Sequence, residues 1–402
     1  MSEVKPQNVL ISGASLFLKR HAPLFEELQR YFSTVQFLPG QPFSGMERVL
    51  FRVRAELYSR IPRSVLAGAE RVLPLSPWDP RVYRARSLAA ESRIRELSRQ
   101  PDLVFHVFGM YAPFWNEPTV TYVTMLDYTA ALARRNYPEW APFSSGTSWK
   151  AWQKCERRGY AGAAHLFTFG RGTRDSLVED YSIPPEKITV IGSGGAFRQV
   201  YSGEKKFGSR RLLFYCADGP EFLRKGGDRV LSAFRIVRER IPQARLAIVG
   251  KATPITEPGV ENYGFISSPQ KMQELFLSSD LVLAPARCDP FPGFLIEAMN
   301  FGVPCVVADA DGMPEIVDHQ LTGLVLVELS GDRLATEVLR LLLNPVRLGE
   351  MSEAGLRKVR ARLNWSYIAE LVAAKVQSLP ELQTAPAHVS SALASPVINT
   401  AR

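Results

Sequence analysis

Short apolar segments alternate with amphipathic helical patterns along most of the chain, and this alternation limits the available folds more than any other feature. Apolar runs bounded by polar or turn residues predict buried strands, and the stretches between them predict helices. Regular alternation of this kind is typical of parallel α/β sheets. The predicted strands form two series, Val9–Ser12, Val104–Phe108, Val120–Thr124, His165–Phe169 and Ile188–Ile191, then Leu212–Cys216, Arg245–Val249, Leu281–Ala284, Pro304–Ala308 and Leu324–Val327.

A polar, glycine-rich break that begins at Gly192 separates the two series. We therefore expect an α/β protein with two Rossmann-like domains, residues 1–200 and 201–363. Ligands of such sheets bind at the carboxyl ends of the strands, so two facing sheets predict a cleft between the domains. Residues 364–379 should form a last helix, for which a return to the first domain is one option. Residues 380–402 are rich in Ala, Ser, Pro and Thr and are expected to be a disordered tail.

Composition excludes several classes of protein. With 402 residues and 46% hydrophobic positions the chain can bury sizeable cores, which argues against a largely disordered protein. None of the four cysteines lies in a CxxC pair, so neither a zinc ribbon nor a disulfide framework is indicated. Neither a leader sequence nor an apolar run of membrane-spanning length is visible. We expect a cytoplasmic protein in a reducing compartment, soluble or peripheral on the inner face of the membrane.

The positive charge is concentrated in one region. The chain carries a net charge of +9, and the stretch Arg48–Arg99 contains twelve arginines, no lysine and five acidic residues. Two interpretations are open: a solvated helical surface, or contact with anionic lipid head groups or an anionic acceptor. Nucleic acid is not an expected partner, because no recognised binding motif or stacking-aromatic pattern accompanies these arginines.

The most informative segment is Asp289-Pro-Phe291-Pro-Gly293-Phe294-Leu295-Ile-Glu297, which follows a predicted strand and opens a helix. The helix N-terminus near Gly293 and Phe294 is suited to holding a phosphate. Asp289 and Glu297 can flank one ligand, and carboxylates accept hydrogen bonds from sugar hydroxyls. The alternative is that Asp289 only caps the helix and Glu297 lies on the surface.

A second segment, Arg224-Lys225-Gly226-Gly227, also follows a predicted strand. Cations at this position can neutralise a diphosphate, and glycines allow close approach of the backbone. The alternative is an exposed basic turn.

A third segment contains Asp309 and Asp311 in a D-x-D arrangement, followed by Gly312-Met-Pro-Glu315. We do not interpret it as a metal site, because no other ligand cluster accompanies it and the continuation predicts a loop that positions a helix. Glu315 either contacts a ligand or caps that helix.

These segments, in this order, resemble the donor-binding half of retaining glycosyltransferases of family 4, which have the two-Rossmann GT-B fold. The resemblance rests on Arg-Lys-Gly-Gly-Asp, on Pro242 to Gly250, on Asp289-Pro-Phe-Pro with Glu297-Ala-Met and Phe-Gly-Val-Pro, and on Gly312-Met-Pro-Glu-Ile-Val with Thr-Gly. It covers the second half well, whereas the first half matches in outline.

The resemblance implies a role for each matching position. Lys225 would hold the donor diphosphate, with Arg224 sharing that role and Gly226 beside them. Glu297 would bind the nucleotide ribose, and Asp289 would contact hydroxyls of the transferred sugar. The remaining donor contacts would come from Gly250 near the base and from Phe291, Gly293, Phe294 and Leu295 near the sugar or phosphate.

Several positions depart from the family pattern. The first acid is Asp289 rather than Glu, and Ala217 or Asp218 falls where an arginine is usual. The usual first-half histidine is absent, and Asp127 stands near its place, either beside the transferred sugar or as an N-cap of the next helix. Gly13 alone represents the glycine-rich loop on the acceptor side.

The resemblance implies retaining, metal-independent transfer of a sugar from a nucleotide diphosphate-sugar to an acceptor hydroxyl. The first domain would bind the acceptor, which is a glycan, a lipid-linked glycan or a small molecule, and the second would bind the donor. No cofactor is expected beyond the donor itself. The alternatives are a non-catalytic nucleotide- or glycan-binding partner with the same fold, and a sugar-nucleotide phosphorylase or epimerase.

Overall fold

The computed structural model describes residues 8–40, 49, 76–108, 110–143, 145–216, 220–250 and 254–383. These residues form two α/β domains, each built on a six-stranded parallel sheet. The prediction of two parallel-sheet domains is therefore confirmed. No helix in this part of the chain is long and apolar enough to cross a membrane.

The first domain contains strands in the order β2-β1-β3-β4-β5-β6. Its strands are β1 (Asn8–Gly13), β2 (Thr34–Pro39), β3 (Leu103–Val107), β4 (Tyr122–Leu126), β5 (His165–Thr168) and β6 (Ile188–Val190). Its helices are α1 (Ser15–Arg20), α2 (Ala22–Leu28), α3 (Pro80–Arg95), α4 (Ala130–Asn136), α5 (Gly146–Gly162) and α6 (Arg171–Tyr181), with short 3-10 turns at Pro138–Trp140 and Pro185–Lys187.

The second domain has the strand order β12-β11-β10-β7-β8-β9. Its strands are β7 (Arg211–Tyr215), β8 (Arg245–Val249), β9 (Val260–Gly264), β10 (Leu281–Ala284), β11 (Cys305–Ala308) and β12 (Gly323–Leu326). Its helices are α7 (Pro220–Arg224), α8 (Gly227–Arg240), α9 (Pro269–Leu277), α10 (Gly293–Asn300), α11 (Met313–Ile316), α12 (Gly331–Leu342) and α13 (Pro345–Ala361).

The central strands are mostly apolar because helices cover both faces of each sheet. Every residue of β3 and β4 is buried, as is every residue of β11. Each sheet also has a point where the chain reverses the direction in which it adds strands, between β1 and β3 in the first and between β7 and β10 in the second. Loops that leave such neighbouring strands diverge and open a crevice, which is where ligands of these sheets bind.

The chain returns to the first domain after completing the second. Helix α14 (Trp365–Gln377) packs against α2, and its buried residues Ile368 and Val372 belong to the hydrophobic core of the first sheet. The Trp365 indole N–H donates to the Gly195 carbonyl in the connection between the domains (2.8 Å). Helix α14, which follows the second domain in sequence, therefore packs on the first domain and connects the two.

Three elements differ from the sequence-based expectations. The strands β2 and β9 were not predicted, since both are edge strands whose residues are mostly partly or fully exposed and lack a continuous apolar run. The prediction that the disordered tail starts at residue 380 is wrong, because residues 380–383 form a short helix, α15 (Pro380–Gln383), and Leu382 is buried in the core of the first domain. The rest of that tail, 384–402, lies outside the described residues.

Helix α14 should contribute strongly to the stability of the first domain. Ile368 is fully buried, so Ile368→Ala should lower the free energy of unfolding by about 2–5 kcal/mol. Tyr367 is 40% exposed on the same helix, and Tyr367→Ala should change it by only about 0.5 kcal/mol. Urea denaturation followed by circular dichroism measures both. Equal losses for the two variants would show that the helix does not belong to this core.

Candidate active site

A cavity of about 980 Å³ lies between the two domains, at the carboxyl ends of both sheets. The first domain lines it with the segment from Leu126 to Ala130, and the second with Arg224 and Lys225 and with the segment from Asp289 to Phe294. Both sheets thus direct their ligand-binding edges into one space, which is large enough for a nucleotide-sized ligand and a second reactant.

Lys225 and Asp289 meet at the point of strand reversal in the second sheet. Lys225 follows β7 and Asp289 follows β10, and the two strands are hydrogen-bonded neighbours. The Lys225 ammonium donates to the Asp289 carboxylate in an ion pair. Gly226 permits this approach, since its φ is +81° and a Cβ there would lie 2.1 Å from the Pro285 carbonyl oxygen.

Helix α10 directs its N-terminus and Glu297 into the same cavity. Pro292 is its N-cap and supplies no side-chain acceptor, so Asp289 does not cap this helix. The first residues, Gly293 and Phe294, line the cavity with backbone N–H groups suited to an anion. Glu297 also lines it and accepts a hydrogen bond from the Ala196 N–H (3.1 Å). Burial raises the pKa of the Glu297 carboxyl to about 7.

Asp127 faces this group from the first domain. It lies directly after β4 and lines the cavity. Burial raises the pKa of Asp127 to about 6, the Arg20 guanidinium acts in the opposite direction, and the Asp289 carboxylate adds to the rise. The alternative of an N-capping role is wrong, because Thr129 caps α4 with its hydroxyl, which accepts from the Leu132 N–H (3.1 Å).

Arg224 has a different environment from that of Lys225. It is 5% exposed, and its guanidinium lies 4.5 Å from the centre of the Trp140 ring of the first domain. It also forms an ion pair with Glu221 and donates to the Cys288 carbonyl (2.6 Å). The Lys225 side chain is 18% exposed and the Arg224 side chain 5%, so Lys225 is the more accessible of the two cations for a ligand.

Four of the sequence-predicted positions do not line the cavity. Leu295 is fully buried in the core of the second domain. Gly250 directly follows β8 and donates to the Gly264 carbonyl (2.8 Å), and Gly13 ends β1 and accepts from the Gly40 N–H (2.7 Å). Gly226 is the N-cap of α8. Phe291, in contrast, does line the cavity.

Arg20 and Tyr215 are among the residues that line the cavity and that sequence reasoning overlooked. Arg20 ends α1, which follows β1, so the rule that places ligand contacts after strands could have found it. Tyr215 is the last residue of β7, and its ring stacks on Phe294 at 4.9 Å between centres. An exposed tyrosine ending an otherwise apolar strand was the available signal.

Two acidic side chains of the third segment join the domains. Glu315 accepts from the backbone N–H of Arg171 (2.6 Å) and so caps α6 of the first domain, rather than its own helix. Asp311 accepts from the Tyr128 hydroxyl (2.7 Å) and from the backbone N–H of Asp289 (2.7 Å). Asp309 is exposed. Among the described residues, no group of three or more His, Cys, Asp or Glu side chains could hold a metal ion.

The fold and the site define a class of protein. Residues 219–358 match the family described as glycosyl transferases group 1, and residues 44–194 match the family described as Glycosyltransferase Family 4. The two ranges together span both domains. The chain therefore belongs to glycosyltransferase family 4 and has the GT-B fold, which confirms the resemblance seen in the sequence.

A named relative supports the same assignment. The chain is 27% identical over 214 residues to the D-inositol 3-phosphate glycosyltransferase of Segniliparus rotundus, a match covering 48% of this chain and 47% of that protein. The match thus spans about half the length of this relative.

Two solved structures have the same fold. WaaG, a glycosyltransferase involved in lipopolysaccharide biosynthesis, has a TM-score of 0.61 at 14% identity, covering 92% of this chain and 100% of that chain. Anabaena HepE, crystallised with UDP and glucose, has a TM-score of 0.57 at 15% identity, covering 93% of this chain and 100% of that chain.

The raised pKa of Glu297 predicts a pH dependence of stability. The pKa of this carboxyl is 4.5 as the ordinary value and about 7 in the folded protein, so between pH 4.5 and about 7 the folded state binds more protons than the unfolded state. The contribution of this carboxyl to stability therefore falls as the pH rises from about 4.5 to about 7. Glu297→Gln removes the ionisation, and its melting temperature relative to the wild type should rise across this interval.

Glu353→Gln is the matched control, because the Glu353 side chain is 75% exposed. Its melting temperature should follow the wild type at every pH. A difference between Glu297→Gln and the wild type that stays constant from pH 4.5 to 8 would contradict the burial of an ionisable Glu297.

Proposed function

We propose that the protein transfers a glycosyl group from a nucleotide diphosphate-sugar to an acceptor hydroxyl, with retention at the anomeric carbon and without a required metal. The observation that carries this proposal is the convergence of Lys225, Asp289, Glu297 and the N-terminus of α10 on one cavity between the domains. Cations and helix N–H groups recognise a diphosphate, and carboxylates recognise the hydroxyls of a sugar.

The donor has a natural orientation in this cavity. Its diphosphate would lie between the Lys225 ammonium and the N–H groups of Gly293 and Phe294, and its ribose on Glu297. The base would then extend toward the apolar lining formed by Val249, Ile266 and Met272. The sugar would face Asp289 and Asp127, which approach it from opposite domains.

The fixed positive groups explain how the reaction would be accelerated. The bond between the anomeric carbon and the diphosphate oxygen breaks, and negative charge grows on the leaving diphosphate. Lys225, the N-terminus of α10 and Arg20 would stabilise that charge in a site that excludes bulk water. The acceptor oxygen forms its new bond on the face from which the diphosphate departs, and its proton passes to a leaving phosphate oxygen. No metal is needed in this scheme because the protein supplies the positive charge.

The acceptor would occupy the first-domain side of the cavity. That side is lined by aromatic and apolar residues, among them Trp78, Tyr83, Met110 and Trp140. Flat aromatic walls suit a sugar ring or an apolar carrier, so glycans, lipid-linked glycans and small molecules are the acceptor classes that we propose.

Loss of the proposed diphosphate and ribose contacts should abolish activity. Lys225→Ala and Glu297→Ala should each lower kcat by about 10²–10³-fold, whether sugar transfer or the slower hydrolysis of the donor is measured. The reason is that each variant loses a fixed protein group that contacts the donor. The assay follows a panel of nucleotide-sugars, with NMR of the anomeric proton to establish retention and chelator-treated protein to test metal independence.

Lys154→Ala and Glu353→Ala are controls at exposed positions outside the cavity. Wild-type rates in both Lys225→Ala and Glu297→Ala would contradict the site assignment. The rival function, a non-catalytic binding partner, is favoured by Asp127 in place of the usual histidine. Calorimetric binding of a nucleoside diphosphate without turnover of any donor would support that rival.

Contact with anionic membranes is a separate proposal for the arginine-rich stretch. Residues 50–75 of that stretch lie outside the described residues. On α3, Arg84 lies over the Trp115 ring (5.7 Å), Arg86 lies over the Tyr111 ring (5.5 Å) and Arg95 pairs with Glu91 (2.8 Å). These contacts are typical of an ordinary solvated helix surface. The other arginines of the Arg48–Arg99 stretch would therefore have to supply much of the attraction to anionic lipid.

Vesicle binding tests this proposal. Each exposed arginine near an anionic surface contributes about 1 kcal/mol, so the protein should co-sediment with anionic vesicles at low salt and be released at high salt. Equal partitioning onto neutral vesicles would remove the membrane proposal. None of the four cysteines forms a disulfide bond, which is compatible with the cytoplasmic location that we propose along with membrane contact.

A further inference from the structure

We infer that Asp311 is a positioning residue that couples the approach of the first domain to the placement of Asp289. The inference rests on the proposed function only in giving Asp289 a sugar to contact. It assigns a role to the D-x-D segment that is independent of metal binding.

One oxygen of the Asp311 carboxylate belongs to a closed set of contacts with the first domain. Its Oδ1 accepts from the Tyr128 hydroxyl (2.7 Å) and from the Asn136 side-chain amide (2.9 Å). The same amide nitrogen also donates to the Tyr128 hydroxyl oxygen (2.8 Å). These two donors come from the segment that follows β4 and from the end of α4. These bonds can exist only while the two domains are together.

The other oxygen holds the loop that carries Asp289. Its Oδ2 accepts from the backbone N–H of Asp289 (2.7 Å). The next residues pair in the same sense, since the Gly312 N–H donates to the Pro290 carbonyl (3.0 Å). Gly312 is required for this contact, because a Cβ there would lie 2.3 Å from the Pro290 oxygen. Asp311 and Gly312 thus clamp the start of the loop, while the Asp289 side chain remains free to pair with Lys225.

The backbone of Asp311 is strained in a way that these bonds can maintain. Its φ is +48°, in the left-handed region that is unfavourable for most residues other than glycine and tolerable for Asp and Asn. The strain and the three hydrogen bonds that the carboxylate accepts together indicate that it has one required placement, shared by both domains.

The coupling has a direct consequence for the reaction. When Tyr128 and Asn136 withdraw, Oδ1 loses its partners and the carboxylate is free to turn, which releases the Asp289 N–H. Asp289 would then contact the sugar in the proper orientation only when the acceptor-side domain is in place. Nucleotide binding through Glu297 and α10 does not involve these bonds and should be insensitive to them.

Variants of this contact set test the inference. Asp311→Gly relieves the backbone strain but removes both acceptors, and should lower kcat by about 10²-fold, the scale on which small misplacements act. Asp311→Asn keeps the shape and one acceptor oxygen and should retain more activity than Asp311→Gly. Tyr128→Phe should lower kcat by about tenfold. In all three, the affinity for a nucleoside diphosphate should stay within about twofold of the wild type. Asp309→Asn, at the exposed neighbouring position, should behave as the wild type.

Hydrogen exchange provides a readout that does not depend on turnover. The peptide containing the Asp289 amide should exchange faster in Tyr128→Phe than in the wild type, although Tyr128 belongs to the other domain. Full activity of Asp311→Gly, unchanged exchange in Tyr128→Phe, or a loss of nucleoside diphosphate affinity equal to the loss of kcat would overturn the inference. If the wild type transfers no sugar at all, the proposed function fails, and the exchange measurement alone decides whether the coupling exists.

Discussion

The parallel pairing of β7 with β10 is the constraint on which the site depends. Lys225 and Asp289 are 64 residues apart in the sequence, yet each follows one of these two adjacent strands. Parallel neighbours end at the same edge of a sheet, so the ammonium and the carboxylate meet without any long loop to bring them together. The loops diverge from that point because the chain adds its later strands on opposite sides. The ion pair and the crevice around it thus have one geometric origin.

The charges of the cavity restrict what can occupy it. Carboxyl groups that line it include Asp127, Asp289 and Glu297, and the cations that line it include Lys225 and Arg20. Burial raises the pKa of Asp127 to about 6 and that of Glu297 to about 7, so the ionised acids are incompletely stabilised by the protein alone. A ligand that satisfies the site must donate hydrogen bonds to carboxylates and present negative charge to cations. Hydroxyl-rich compounds carrying a phosphate or diphosphate combine both properties.

Sequence reasoning succeeded where a local pattern of residues determines the structure, and it failed where a contact joins distant parts of the chain. The central strands were predictable because they are short runs of apolar residues, and the Asp289 and Lys225 segments were predictable because loops after such strands reach the ligand edge. The edge strands β2 and β9 carry mixed, exposed residues and gave no comparable signal. The environment of Arg224 could not be foreseen, since Trp140 belongs to the other domain and no local pattern joins the two residues. For the same reason neither alternative for Glu315, a ligand contact or a cap of its own helix, included its actual partner, the backbone N–H of Arg171 in the other domain.

The two residues that follow β4 show how the two domains act on one site. Asp127 and Tyr128 are consecutive, and their side chains serve different ends: the first faces the cavity, and the second binds the Asp311 carboxylate of the opposite domain. Asp311 in turn accepts a hydrogen bond from the Asp289 N–H. Asp127 is therefore linked to Asp289 by the peptide bond to Tyr128 and then by the hydrogen bonds of Asp311. A movement of the first domain that displaced Asp127 would therefore disturb Asp289 as well. This linkage makes the relative position of the domains part of the site itself, rather than only a means of access to it.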